Sequence, residues 1–233
     1  MVDLDPQAHL TTVLGGEIRQ SIGAVLQGNC AISEAIIPAG DRGWLLPAQW
    51  DLAATAVALS RSGDGLLQLR RVLAHTGQAI GQPTGQSTVV LLDCPPGLGF
   101  LTLSALVAAD AVLIPVQCQP LALRSLLPLM ETVTSIRSQL NPGLRVLGVL
   151  PTMAERRSPV SEQVLAGLQD WVAAAQGSIA LFPPIPRSGC FPKLTTDGQL
   201  LRDGLSRQRR SSVMGGYGAI ADRLLSSASD SER

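Results

Sequence analysis

Lysine is nearly absent from this chain. Of its 18 basic residues, 17 are arginine and one is Lys193, so any chemistry that needs an amine must use that position. Net charge is absent too. The 18 basic and 18 acidic residues balance, and no overall field drives whole-surface binding to nucleic acid or acidic lipid. The four cysteines, Cys30, Cys94, Cys118 and Cys190, form no CxxC pair, and neither His9 nor His75 lies close to one. That spacing argues against a zinc or iron–sulfur site and against a disulfide framework. Reduced, mostly buried thiols in a cytosolic protein are expected instead. Phe100–Val116 is the longest apolar stretch, and Thr102, Ser104, Asp110 and Pro115 interrupt it, which excludes a membrane span. The first residues, MVDLDPQ, are acidic where a signal peptide would be basic and then apolar.

What remains is ample material for a core. Apolar residues make up 45% and charged residues 15% of the 233, with mean hydropathy +0.25. Short continuous apolar runs at Trp44–Pro47, Thr88–Leu92, Ala111–Val116, Arg145–Leu150 and Ile179–Phe182 predict strands buried on both faces. Helical spacing occupies the intervals Asp51–Leu59, Leu66–Ile80, Leu101–Ala109, Leu121–Leu140 and Val160–Ala175. Asn141-Pro142-Gly143 stops one helix, and Ser158-Pro159 starts the next with a cap and a proline at its first position. This alternation predicts an α/β fold, a doubly wound, mostly parallel sheet, in one domain spanning 1–233. A last helix is expected near Ser211–Ser226, followed by a disordered tail at 227–233.

Two constellations carry chemistry. Val2-Asp3-Leu4-Asp5 resembles the end of a buried strand, where ligands bind in open α/β sheets, and it sets two carboxylates at i, i+2 on one side of an extended chain. Leu91-Leu92-Asp93-Cys94-Pro95-Pro96-Gly97-Leu98-Gly99 places an acid at another strand end, suited to holding the water shell of Mg²⁺, before a turn whose glycines admit an anion. The plain alternatives are a pair of solvated loop acids at 3 and 5, and an Asp93 that only caps the helix beginning near Gly99. A third feature is a basic stretch from Arg187 to Arg210, where six cations against Asp197 and Asp203 leave a local +4.

Together these motifs resemble the ParA/Soj family of partition ATPases, in the MinD/ParA branch of deviant P-loop NTPases. The resemblance rests on VDLDPQ at 2–7, SIGAVLQG at 21–28, LLPAQWDLA at 45–53, LLDCPPGLG at 91–99, ALVAADAVLIPVQCQPLAL at 105–123, LNPGLRVLGVLPTM at 140–153 and PPIPR at 183–187. It implies that Asp5 orients the attacking water beside its neighbouring switch acid Asp3. It further implies that Asp93 holds Mg²⁺ through water, that Gly97 and Gly99 sense the γ-phosphate, and that Thr152 and Arg187 approach the nucleotide base. Arg202, Arg207, Arg209 and Arg210 fall where family members contact DNA non-specifically as an ATP-bound homodimer, with a ParB-like or cargo-adaptor partner. The implied setting is the cytoplasm, on the nucleoid if DNA binding is kept, with no membrane contact.

One family motif is not found. Members open with a strand, a KGGxGK[ST] loop and a helix before DxDPQ, whereas here DLDPQ begins at residue 3 and Lys193 lies in FPKL. The expectation is therefore a sheet without its first strand, P-loop and first helix, unable to hold Mg·ATP as it stands, and either part of a longer gene product or a decayed or truncated paralogue. Lys193 also occupies a place where the family carries an acid. The competing readings are a non-enzymatic adaptor or regulator of an intact relative, and an accessory ATPase of the same fold with another client.

Overall fold

The computed structural model describes residues 1–39, 43–81, 88–155, 157–175, 177, 179–188 and 216–224. They form two compact units, Met1–Ala109 and Asp110–Arg233. The described strands form parallel ladders apart from one antiparallel pair, and helices lie between them along the chain, so the fold is α/β as expected.

The first unit is built from short elements. Its strands are β1 (Val2–Asp3), β2 (Ile37–Pro38), β3 (Trp44–Leu45) and β4 (Leu92–Asp93). Its helices are α1 (His9–Leu14), α2 (Ile22–Leu26), α3 (Ile32–Ala35), α4 (Leu52–Ser60), α5 (Gln68–Leu73), α6 (Thr76–Ala79) and α7 (Phe100–Ala108). β1 and β4 run parallel with Val2 opposite Leu92 and Asp3 opposite Asp93. Leu4, Ile22, Leu46, Leu52 and Leu69 are buried in its core. Ser21 begins α2 by accepting from Ala24 N–H at 3.3 Å, and its hydroxyl donates to Asp51 Oδ2 at 3.0 Å, which ties α2 to the start of α4. A Cβ at Gly23 would stand 2.8 Å from the same Asp51 oxygen, so this close approach needs glycine.

Three expectations for this unit change. Trp44–Pro47 is not one strand of a parallel sheet: Trp44 and Leu45 pair antiparallel with Pro38 and Ile37, while Leu46 bridges to Val2 in parallel. The connection is only five residues long, closed by Ala39 N–H to Gly43 O at 2.8 Å, and so short a link returns the chain antiparallel. Leu66–Ile80 is not one helix but a 3₁₀ turn at Gly65–Leu67, then α5 and α6, because Ala74-His75-Thr76-Gly77 includes three weak helix formers. Thr88–Leu92 is not buried on both faces. Val89 is 47% and Leu91 49% exposed, since among the described residues β4 is laddered to β1 alone.

The second unit is more regular. β5 (Ala111–Gln117), β6 (Arg145–Thr152) and β7 (Ala180–Leu181) form a parallel sheet in the order β5-β6-β7, with a register shift between Val112 and Leu113. A 3₁₀ turn at Ala122–Ser125 leads into α8 (Leu126–Gln139), and α9 (Pro159–Ala174) follows β6. Ser158 caps α9 by accepting from Ser161 N–H at 3.4 Å, with Pro159 next, as the sequence predicts. Past the end of α8, Asn141 N–H closes on Ile136 O at 2.8 Å. Ile114, Val116, Leu126, Val149 and Leu168 form one core and Leu147, Leu150, Phe182 and Ile185 another. A Cβ on Gly148 would lie 2.6 Å from Ala180 O, so glycine permits the β6–β7 approach. Residues 216–224 are helical. Arg202, Arg207, Arg209, Arg210, Lys193, Cys190 and the 227–233 tail lie outside the described residues.

Candidate functional site: the acids at the ends of β1 and β4

Parallel pairing sets the carboxyl ends of β1 and β4 side by side and makes Asp3 and Asp93 direct neighbours in the ladder. The two acids then diverge. Asp3 is fully buried. Its Oδ1 accepts from Asp5 N–H at 3.0 Å, and its Oδ2 accepts from Thr11 N–H at 2.8 Å and from Thr11 Oγ1 at 2.7 Å. Three donors converge on it, so it braces the loop. Asp5 is half-buried, and its Oδ1 accepts from Gln7 N–H at 2.9 Å in an Asx turn, while Ala8 N–H closes on Asp5 O at 2.8 Å. Ala8 then takes a left-handed conformation at φ 53°, ψ 38°, unusual for a residue with a Cβ.

Asp93 is exposed: its main-chain carbonyl accepts from Leu4 N–H at 2.8 Å, while its carboxylate accepts no hydrogen bond from a described residue. Desolvation, followed by the negative charges of Asp3 and Asp5, pushes its pKa up, with His9 opposing weakly. The turn after it carries Gly97 at φ +91°, a conformation that requires glycine. Gly99 is the N-cap of α7 and no side chain caps that helix, which disposes of the reading in which Asp93 merely caps it. Thr102 Oγ1 donates to Pro95 O at 3.4 Å and holds the turn against the helix. Cys94 is exposed, not buried as expected for the thiols; desolvation and then Asp93 push its thiol up to about 11.

In the second unit the carboxyl end of β6 carries Thr152, half-buried, whose carbonyl accepts from Cys118 N–H at 2.9 Å. Met153 follows at φ 53° and is 51% exposed. The chain after β7 returns to this end: Arg187 N–H donates to Ala154 O at 2.9 Å, and the Arg187 guanidinium pairs with Glu155. Arg187 therefore lies against Ala154 and Glu155, shortly after Thr152 in the same unit.

Residue chemistry here fits a hydrated Mg²⁺. Asp93 is an unengaged carboxylate whose charge is held against two neighbouring acids, and a cation relieves that repulsion. Among the described residues no three His, Cys, Asp or Glu side chains form a metal cage, so one carboxylate and water would make the contact. A triphosphate fits less well. Gly97, Gly99 and the uncapped start of α7 leave room for an anion, but no described residue is a lysine.

Sequence reading singled out Asp3, Asp5, Asp93, Gly97 and Gly99 but missed Thr11, Ala48 and Glu155. Thr11 lies eight residues from Asp3, a separation with no regular period to betray the contact.

Known proteins resemble this chain in sequence and in fold. A family model described as an AAA domain matches residues 1–146. The chromosome partitioning protein ParA of Caulobacter vibrioides is 38% identical over 168 residues, 70% of this chain and 61% of that protein. The chromosome-partitioning ATPase Soj of Thermus thermophilus is 37% identical over 188 residues, 81% of this chain and 68% of that protein. The chain thus spans about three-fifths of the first of these relatives. Among solved structures, cobyrinic acid a,c-diamide synthase of Mycobacterium smegmatis, crystallised with an ATP analogue and magnesium, superposes with TM-score 0.69 and 37% identity over 80% of this chain and 73% of that one. Cyanothece apo McdA shares the fold with TM-score 0.81 at 22% identity, over 96% of this chain and 86% of that one. No described helix is long and apolar enough to cross a membrane.

Proposed function

We propose, for a chain that belongs to the ParA/Soj family of partition ATPases, a role in ATP-driven segregation of DNA or positioning of another cargo in the cytoplasm. The observation that carries this reading is the in-register pair Asp3–Asp93, one acid buried and bonded, the other exposed and open to a cation. Bound Mg·ATP supplies the phosphoanhydride to be hydrolysed. With it bound, Asp93 would hold the metal through water and Asp5 would orient the attacking water, while Asp3 fixes the backbone that presents Asp5. Gly97 and Gly99 would let backbone N–H groups near the phosphate end.

No described residue supplies a lysine to grip the phosphates. Lys193 has no glycine loop before it and is followed directly by Leu194 rather than by Ser or Thr. Each charge-assisted phosphate contact is worth roughly 1.5–3 kcal/mol, so lacking several leaves weak affinity. Arg202, Arg207, Arg209 and Arg210 form the non-specific DNA contact of a homodimer, and a ParB-like or cargo-adaptor protein stimulates release.

Fluorescence anisotropy with an arbitrary DNA duplex, at about 50 and 200 mM salt, tests the DNA arm. Affinity is expected to fall roughly tenfold or more across that range and to weaken in the fourfold Arg→Ala variant. Salt-insensitive binding, or none, counts against it. The missing lysines favour a second reading, a nucleotide-independent regulator of an intact relative. Binding to a purified ParA-type protein without nucleotide would select it.

A further inference from the structure

The Thr11 hydroxyl does two things at once. It donates to Asp3 Oδ2 at 2.7 Å and accepts from Ala48 N–H at 3.0 Å, with Thr11 2% exposed and Ala48 1%. Because Ala48 N–H already occupies an acceptor site on the oxygen, the single hydroxyl proton is directed at Asp3. The segment around Ala48 is itself anchored: Asp3 N–H donates to Leu46 O at 3.1 Å and Ile22 N–H to Pro47 O at 2.8 Å. Thr11 therefore links a fixed stretch of backbone to the buried Asp3 carboxylate, whose other oxygen holds Asp5 N–H.

We propose that Thr11 is a positioning residue: its hydroxyl, bridging Ala48 N–H and Asp3, sets the orientation of the loop that presents Asp5. The proposal rests on the reading of Asp5 as the acid that orients water. Thr11 touches no reacting atom and acts through Asp3. A threonine suits the role because the site needs one group that both donates and accepts, in a buried space that its methyl fills. Serine keeps the bridge and valine removes it at similar volume.

Residue-resolved amide hydrogen exchange on the 233-residue chain and its Thr11→Ser and Thr11→Val variants tests it. In Thr11→Ser, Asp5 and Ala48 are expected to exchange as in the unsubstituted chain. In Thr11→Val both should exchange roughly tenfold faster, the equivalent of one lost hydrogen bond, with Leu26 and Leu52 unchanged. Acceleration of Ala48 alone would overturn the proposal, because Thr11 would then only satisfy that amide. Equal acceleration throughout residues 1–109, or a Thr11→Val chain that does not fold, would overturn it too, by making Thr11 a general folding residue. Failure of Thr11→Ser to restore the Asp5 rate is a third contrary result. If the unsubstituted chain shows no ATP turnover even with an intact ParA-type subunit, the functional reading fails and the exchange rates still decide Thr11.

Discussion

The two units use the same kind of strand and treat it differently. Thr88–Leu92 in the first and Arg145–Leu150 in the second are both short apolar runs of Val and Leu. The second becomes β6, laddered to β5 on one side and β7 on the other, with Leu147, Val149 and Leu150 buried. The first contributes only Leu92 to β4 and leaves Val89 and Leu91 about half exposed. A continuous apolar run therefore reports that a strand is suited to burial on both faces, while the neighbouring strands decide whether burial happens. The functional consequence follows the same line. β4 is the strand whose end carries Asp93, so the less enclosed of these two runs bears the exposed acid.

Truncation of matched leucines is the largest expected contrast. Leu150→Ala removes a side chain that is 5% exposed and is expected to cost about 2–5 kcal/mol, whereas Leu91→Ala, at 49% exposure, is expected to cost less than about 0.5 kcal/mol. Denaturant titration measures both. Equal losses would break the comparison by showing Leu91 enclosed in solution.

A smaller effect separates the strained positions. Ala8 in the first unit and Met153 in the second both sit at φ 53°. Relief of the Cβ clash is worth about 1–2 kcal/mol and glycine's extra chain entropy returns about 0.5–1. Ala8→Gly and Met153→Gly should each raise stability by at most about 1.5 kcal/mol. A loss at Met153 would mean that its side chain is packed.

The smallest effect concerns Asp93. Its pKa lies above the unfolded value, so the folded state binds the proton more tightly. The resulting stability is present below about pH 4 and is lost as pH rises through the folded pKa. Asp93→Asn should therefore stabilise the chain at pH 7 by less than about 1 kcal/mol, given the screening of an exposed group, and the gain should vanish near pH 3. A gain independent of pH would remove charge repulsion as its cause.

Much of the fold was legible. Ser158-Pro159 and Asn141-Pro142-Gly143 mark the helix ends they predict because caps and breakers act over a few residues. Asp3, Asp5 and Asp93 were legible as candidates because strand-end acids stand out against apolar runs. Their different roles were not, since only tertiary contacts separate an Asp3 carboxylate that accepts three hydrogen bonds from an Asp93 carboxylate that accepts none from the described residues. The antiparallel turn of Trp44 was also hidden: pairing direction depends on where Ile37 and Pro38 lie, and apolar patterning is silent on that.

The most direct measurement is calorimetric titration of Mg·ATP into the 233-residue chain, with Asp93→Ala as control. Without a phosphate-gripping lysine loop, no site tighter than about millimolar, roughly −4 kcal/mol, is expected. A micromolar site that disappears in Asp93→Ala would contradict it, because these residues would then grip the triphosphate by themselves.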